Sequence, residues 1–240
     1  MRPIRENFPI RERWIRTAGP WADEPIRRFT RADAEQFLIT REILENVPID
    51  PRRISYMSNV RYTQGMTWRA FLTEGGNIDN ALYVLTYEAQ YYDDPLADQL
   101  AGTSIYSTPG WTLIEIDGHY SVDEGHHRSA IAKFRAHEDG MTGQRIPRLE
   151  RFKVDHAARH TADRLSQILL PGQDFKVLRE PIGPQMPEKQ EWRILFQLHR
   201  VRGHDGNTYL PDEALAYAEA ANQAWRPYDV ITKLLGLFRR

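Results

Sequence analysis

The sequence predicts an α+β protein, a compact mixed sheet with helices packed on it. Three observations carry that expectation. Segments of period-two alternation, such as Trp111 to Ile116 and Leu149 to Val154, are interleaved with segments of helical period, such as Ile78 to Tyr92 and Arg128 to Phe134. The two kinds alternate along the chain without an internal repeat or a low-complexity linker. Hydrophobic residues make up 41% and charged residues 27% of 240 residues, a composition and length that can bury a substantial core.

The elements follow in order. Residues 1–28 are rich in Pro, Arg and Trp without a sustained period and read as an irregular arm packed on the surface. Thr30 can cap a helix in which Ala34, Phe37, Leu38, Arg41, Leu44 and Val47 fall near helical spacing, ended by Pro48 and Pro51. "RRISYMSNVRY" is β-branched and aromatic enough for a strand. "NIDNALYVLTYEAQYYDD" places Ile78, Leu82, Leu85, Ala89 and Tyr92 on one helical face, and Pro95 opens a short helix stopping near Gly102. Thr112, Ile114 and Ile116 alternate with Trp111, Leu113 and Glu115, and Asp117-Gly118 is a type I′ hairpin signal before "HYSV". From Arg128, Ala130, Ile131 and Phe134 recur at helical spacing until Gly140, so this unit reads strand, turn, helix. A strand at "RLERFKVDH", a helix at "HAARHTADRLSQILL", strands at "FKVLREPI" and "EWRILFQLHRV", a turn at "GHDGN" and a helical pair from Pro211 complete the chain, the pair interrupted at Pro227.

Composition limits the chemistry. No apolar run approaches the roughly 20 residues of a membrane span, and "MRPIRENFPIRERWIR" lacks the apolar core of a secretory signal, so residence in the cytoplasm is the expectation. Export by a route that reads no N-terminal signal is compatible with the same sequence. The absence of cysteine removes disulfides, thiolate ligands and thiol nucleophiles. A formal net charge of -1 argues against a surface that grips nucleic acid everywhere. The charges are segregated, however. Between Arg69 and Arg128 there are ten carboxylates and no Lys or Arg, whereas residues 128–164 carry nine Lys/Arg against five Asp/Glu. Two solvated faces would explain this; so would a cation-binding side facing an anion-binding side.

"SVDEGHHRSAIAKF", residues 121–134, stands at that junction. The first N–H groups of a helix lack partners and carry partial positive charge, which suits a phosphate. Gly125 permits close approach, Arg128 can fork onto phosphate oxygens, and His126 or His127 can donate to the anion or move a proton. Asp123 and Glu124 would repel a bare phosphate, and make sense if Mg²⁺ lies between or if one accepts a proton. The plain alternative is a capped helix with an easing glycine and two structural histidines. A transition-metal set of His119, His126 and His127 with Asp117 or Asp123 is a further option, although adjacent histidines diverge and no HExxH spacing supports it. His156 and His160, four apart on a predicted helix, read as a solvated face before they read as a metal pair.

A strand or hairpin leading into "VDEGHHRSAIAKF" resembles the signature of the ParB/sulfiredoxin-like superfamily, in which Asp-Gly-His-His-Arg or Gly-x-x-Arg precedes a helix of small residues. The resemblance implies that Gly125, His126, His127 and Arg128 occupy phosphate-binding positions, with Ser129 and Ala130 opening the packed face of the helix. Glu124 stands where the family commonly has Asp. The match covers roughly residues 111–135, with weaker likeness at "NVPIDPRRISY" and "IPRLERFKVDH". It implies a ParB/sulfiredoxin-like core at 29–170 with an inserted helical region at about 62–110, flanked by the arm at 1–28 and a C-terminal α/β extension at 171–240 that the composition and element pattern suggest. Sulfiredoxin chemistry needs a cysteine this chain lacks, and the part after Pro171 is too short and strand-rich for the helix-turn-helix and dimerisation domains of partitioning proteins.

Three functions follow as expectations. The first is a nucleotide-binding enzyme performing Mg²⁺-dependent phosphoryl chemistry, as an ATP hydrolase or DNase. Here Gly125, His126, His127, Arg128 and Ser129 bind the nucleotide, Glu124, His126, His127 and Arg128 act in catalysis, and Asp123 and Glu124 hold the metal. The second is a non-catalytic regulator that binds DNA or a protein through Arg148, Arg151 and Lys153 and a C-terminal helix with Arg239 and Arg240. The third is a small-molecule kinase whose pocket is lined by Tyr83, Tyr87, Tyr91, Tyr92 and Trp111, rings that otherwise read as ordinary packing.

Overall fold

The computed structural model describes residues 8–87, 92 and 110–223. Within them the protein is a mixed α/β structure whose sheet contains parallel and antiparallel strands. The chain forms two compact units, and neither is continuous in sequence. The first comprises Met1–Asp33 and Arg41–Phe152, the second Ala34–Thr40 and Lys153–Arg240.

In the first unit, β1 (Arg27–Arg28), β2 (Leu38–Ile49, whose first three residues belong to the second unit), β3 (Ile54–Met57), β4 (Thr112–Ile116), β5 (His119–Glu124) and β6 (Gln144–Val154, whose last two residues belong to the second unit) lie in the order β1-β3-β5-β4-β6-β2. β3 runs parallel to β1 and β5, β4 antiparallel to β5, and β6 parallel to β4. Asp117 and Gly118, at φ 49° and 78°, make the tight β4–β5 turn with the two positive φ values of a type I′ hairpin. The long helix α5 (His126–Asp139) follows β5 after a single residue; before it come α1 (Pro9–Thr17), α2 (Arg31–Glu35), α3 (Trp68–Glu74) and α4 (Ile78–Tyr87).

The strand register explains how α5 packs. Leu113 lies opposite both Val122 and Leu149, so these three side chains share one face of the sheet. They form a common core with Ala130, Ile131 and Phe134 of α5. The small residues Ala130, Ala132 and Ala136 are fully buried, allowing the helix to approach closely. Lys133 is 5% exposed, and its ammonium donates to the carbonyls of Arg52 and Ile54, each at 2.7 Å. The same ammonium lies 5.2 and 5.0 Å from the rings of Trp21 and Trp68. Burial lowers its pKa to about 8 against the opposing pull of Glu24 and Asp50.

Two expectations are corrected. Residues 8–28 are not an irregular surface arm: α1 starts with Pro9 in its first turn and buries Trp14, whose ring stacks on Phe134 and whose Nε1 donates to Glu138 at 2.8 Å. Nor does a helix run from Thr30 to Val47. It stops at Glu35, and Leu38 to Ile49 form β2 in the sheet. Apolar spacing near 3.6 and a capping threonine are outweighed there by Ile39, Thr40, Ile43 and Val47, β-branched residues suited to a pleated surface.

In the second unit, Asp155 caps α6 (His156–Ile168) by accepting from the Ala158 N–H at 2.9 Å. β7 (Asp174–Pro181) pairs antiparallel with β8 (Lys189–His199), which also pairs with β9 (Thr208–Tyr209). A helix at 211–223 follows. The expected helix at Pro95–Gly102 and the break at Pro227 lie outside the described residues. The expected core boundary at 170/171 falls within the second unit, after α6.

Candidate functional site

The strand–turn–helix unit is built so that only glycine fits its corner. Gly125 is the residue before α5, at φ 80° and ψ 35°, a left-handed conformation that side chains disfavour. A Cβ there would lie 2.9 Å from both the Gly110 carbonyl oxygen and Trp111 Cδ1, contacts real Cβ atoms do not make. No side chain caps α5, and the first helical bond runs from the Ser129 N–H to the Gly125 carbonyl at 2.9 Å. Helix geometry therefore leaves the N–H groups of His126 and His127 without intrahelical acceptors.

Just before the corner, Glu124 lies opposite Thr112 and Val122 opposite Leu113, so Asp123 is the extra residue of a β-bulge. Its carboxylate meets Arg31 at 2.9 Å, and its carbonyl accepts from the Ser58 hydroxyl at 3.1 Å. Arg31 also reaches Glu150 at 2.9 Å. Glu124 is exposed, and its Oε2 packs beside Gly110.

The histidines are held by different neighbours. His126 Nε2 is 3.4 Å from Ser58 Oγ, whose single proton already goes to the Asp123 carbonyl; Nε2 thus carries the proton and Nδ1 is the acceptor. His127 Nε2 lies against the Gly75 carbonyl, which only accepts, and 3.3 Å from the Tyr62 hydroxyl. Burial, reinforced by His127 and opposed by Asp123, pushes His126 down to about 4. His127 is lowered mainly by burial, with the Gly75 bond opposing and Arg61 and Arg128 adding to the shift. Both rings are neutral at pH 7, with their Nε2 protons engaged. They are better placed to accept a proton through Nδ1 than to donate to an anion. Ser129 is fully buried and accepts from the Trp111 indole N–H at 2.9 Å, so its hydroxyl fixes the helix to the sheet. Arg128 is partly exposed on the first turn.

The remaining candidates are distributed as follows. His119 pairs with Ser55 at 3.4 Å, four residues along β5 from Asp123, a separation of about 13 Å in a strand. The transition-metal set thus does not converge, and no group of three or more metal-ligating side chains occurs among the described residues. His156 and His160 are exposed on α6. Tyr92 and Trp111 are core residues in edge contact at 6.1 Å, and Tyr83 packs on Tyr87; Tyr91 lies outside the described residues. Arg151 pairs with Glu115 and Glu42, Arg148 pairs with Glu150, and Lys153 is exposed. Arg239 and Arg240 lie outside the described residues.

Ser58, Arg61, Tyr62 and Arg31 join the site from elements distant in sequence, and no spacing signal marks them. A cavity of about 260 Å³, lined by Trp14, Trp21, Phe134, His137 and Glu138, lies at the C-terminal end of α5 and contains none of the candidate residues. Among the described residues no helix is long and apolar enough to cross a membrane. Comparison with protein-family models, curated proteins and solved structures gave no match.

Proposed function

We propose that the protein binds the phosphates of a nucleotide at the Gly125–Arg128 turn and acts on them as a phosphohydrolase of the ParB/sulfiredoxin-like kind. The observation that carries this reading is the corner at Gly125, where a left-handed glycine without room for a Cβ opens a helix that no side chain caps. The N–H groups of His126 and His127 form an oxyanion cradle, and the Arg128 guanidinium, on the first turn of α5, supplies the charge. Arg31 neutralises Asp123, which removes the repulsion this carboxylate would otherwise exert on a phosphate.

The chemistry assigned to this chain's own groups is proton acceptance. His126, neutral and with Nδ1 unprotonated, can take the proton of an attacking water while Ser58 holds the ring. Exposed Glu124 is the other base. The residues do not fit a Mg²⁺ site built by protein alone: Asp123 is paired with Arg31, and Glu124 is a single exposed carboxylate.

Calorimetric titration of ATP, ADP and CTP, each with and without Mg²⁺, tests the reading. The expected result is saturable binding in the wild type that Arg128→Ala weakens, with a loss in turnover on the order of 2 to 4 kcal/mol of transition-state stabilisation, as for a single electrostatic donor. Absence of binding to all three nucleotides, or undiminished binding and turnover in Arg128→Ala and Glu124→Ala alike, would sink it.

A further inference from the structure

The face of the sheet opposite α5 carries a second cluster of charge. Glu150 is opposite Ile114, which is opposite Ser121, so these side chains point away from the Leu113, Val122 and Leu149 face. Glu150 is completely buried, yet three guanidiniums converge on it: Arg31 and Arg148 on Oε1 at 2.9 Å each, and Arg41 on Oε2 at 3.1 Å. One further carboxylate, Asp123, shares Arg31. Among the described residues, three cations thus face two carboxylates. A buried carboxylate needs compensation, but two guanidiniums covering its two oxygens already supply it. The third is surplus, and it is Arg148, the most exposed of the three at 46%, against 38% for Arg31 and 26% for Arg41.

Each guanidinium has five N–H donors, and the contacts to Glu150 and Asp123 use a minority of them. Three planar donors fixed around one buried acceptor are pre-ordered, so an oxyanion arriving on the exposed side meets little ordering cost. Arg148 is level with Thr112, which is level with Glu124, so the cluster is two strands from the Gly125 corner, a Cα separation of about 10 Å.

We propose that Arg31, Arg41 and Arg148 form a second phosphate-binding site, organised by Glu150 and joined to the Gly125–Arg128 turn only through the Arg31–Asp123 pair. Its ligand is a phosphate group, carried by a nucleoside polyphosphate or by a nucleic-acid strand. The site stands whether or not the turn binds phosphate.

The test is the ¹⁵N–¹H spectrum of the full chain, in which the arginine Nε–H signals of Arg41 and Arg148 are assigned by their disappearance in Arg41→Gln and Arg148→Gln. Titration with inorganic phosphate, against sodium chloride at equal ionic strength, should move both signals saturably in the wild type and equally in Arg128→Ala. In Arg148→Gln the Arg41 signal should stop responding, and Arg148→Lys should restore part of the response. Inorganic triphosphate and a short single-stranded oligonucleotide then separate the sources, the site being kept if either one saturates the two signals. Shifts that chloride reproduces would overturn the proposal and leave Glu150 with a purely structural network. Loss of nucleotide binding in Arg128→Ala with the arginine shifts intact would support both sites as separate. Shifts intact with no nucleotide effect at Arg128 would remove the turn alone.

Discussion

Gly125 is the residue whose replacement should be felt most. Alanine there must hold a positive φ, at about 1 to 2 kcal/mol, and must push apart the Gly110 backbone and the Trp111 ring. Gly125→Ala should therefore lower the urea midpoint by more than 1 kcal/mol of stability without changing the denaturant slope. An unchanged midpoint would mean that the corner relaxes freely. Gly140 makes the opposite control: it also has positive φ, but no atom stands within 4 Å of its added Cβ, so its alanine variant should show the backbone cost alone. The corner was legible in sequence because Gly, His, His and Arg are contiguous. The partners that set the histidine tautomers were not: Ser58 and Gly75 are 68 and 52 residues from the rings they hold.

At the scale of the element, α5 is fixed by a charged group inside its apolar face. Lys133 has its pKa lowered to about 8 from the ordinary 10.5, so between those values the unfolded chain binds the proton and the folded one releases it. Stability should then rise with pH across that window, by up to about 1.4 kcal/mol per unit. The comparison is best stopped at pH 10, because burial raises the Tyr120 pKa and its contribution turns the other way above that value. Lys133→Met should abolish the rise, since thioether and indole surfaces pack without a proton to lose. A wild-type midpoint flat from pH 8 to 10 would show that the two carbonyls and two indole rings keep the ammonium charged. Helix α5 and the β4–β5 hairpin were readable from period and from Asp117-Gly118, because local chemistry sets both. β2 was misread because its apolar residues fit a helix nearly as well, and its place in the sheet is a matter of pairing partners.

For the molecule as a whole, three histidines make an acid liability. His126 and His137 are pushed down to about 4 and His127 is also lowered, burial being the chief cause in each, so all three are more readily protonated once the chain unfolds. A folded pKa below the unfolded value gives stability that is complete above pH 6.5 and is lost as pH falls toward about 4. For His126, only partly exposed, the loss should be on the order of 2 to 3 kcal/mol; His137 is too exposed for its shift to be translated in full. Urea midpoints through that range should fall in the wild type and fall less in His126→Gln. A level profile would count against neutral burial. The α+β class was available from the alternation of periods, whereas the division into units was not, since it depends on which distant segments meet.

That division has a practical consequence. Because Ala34–Thr40 belongs with Lys153–Arg240, and the Phe37 carbonyl accepts from the Asp155 N–H at 2.9 Å, a cut after Phe152 leaves each half incomplete. A 153–240 fragment would lack its partner at Asp155, and a 1–152 fragment would carry 34–40 with nothing to receive it. Expressed separately, both pieces should be protease-sensitive and prone to associate; mixed, they should complement one another only when residues 34–40 are present on one of them.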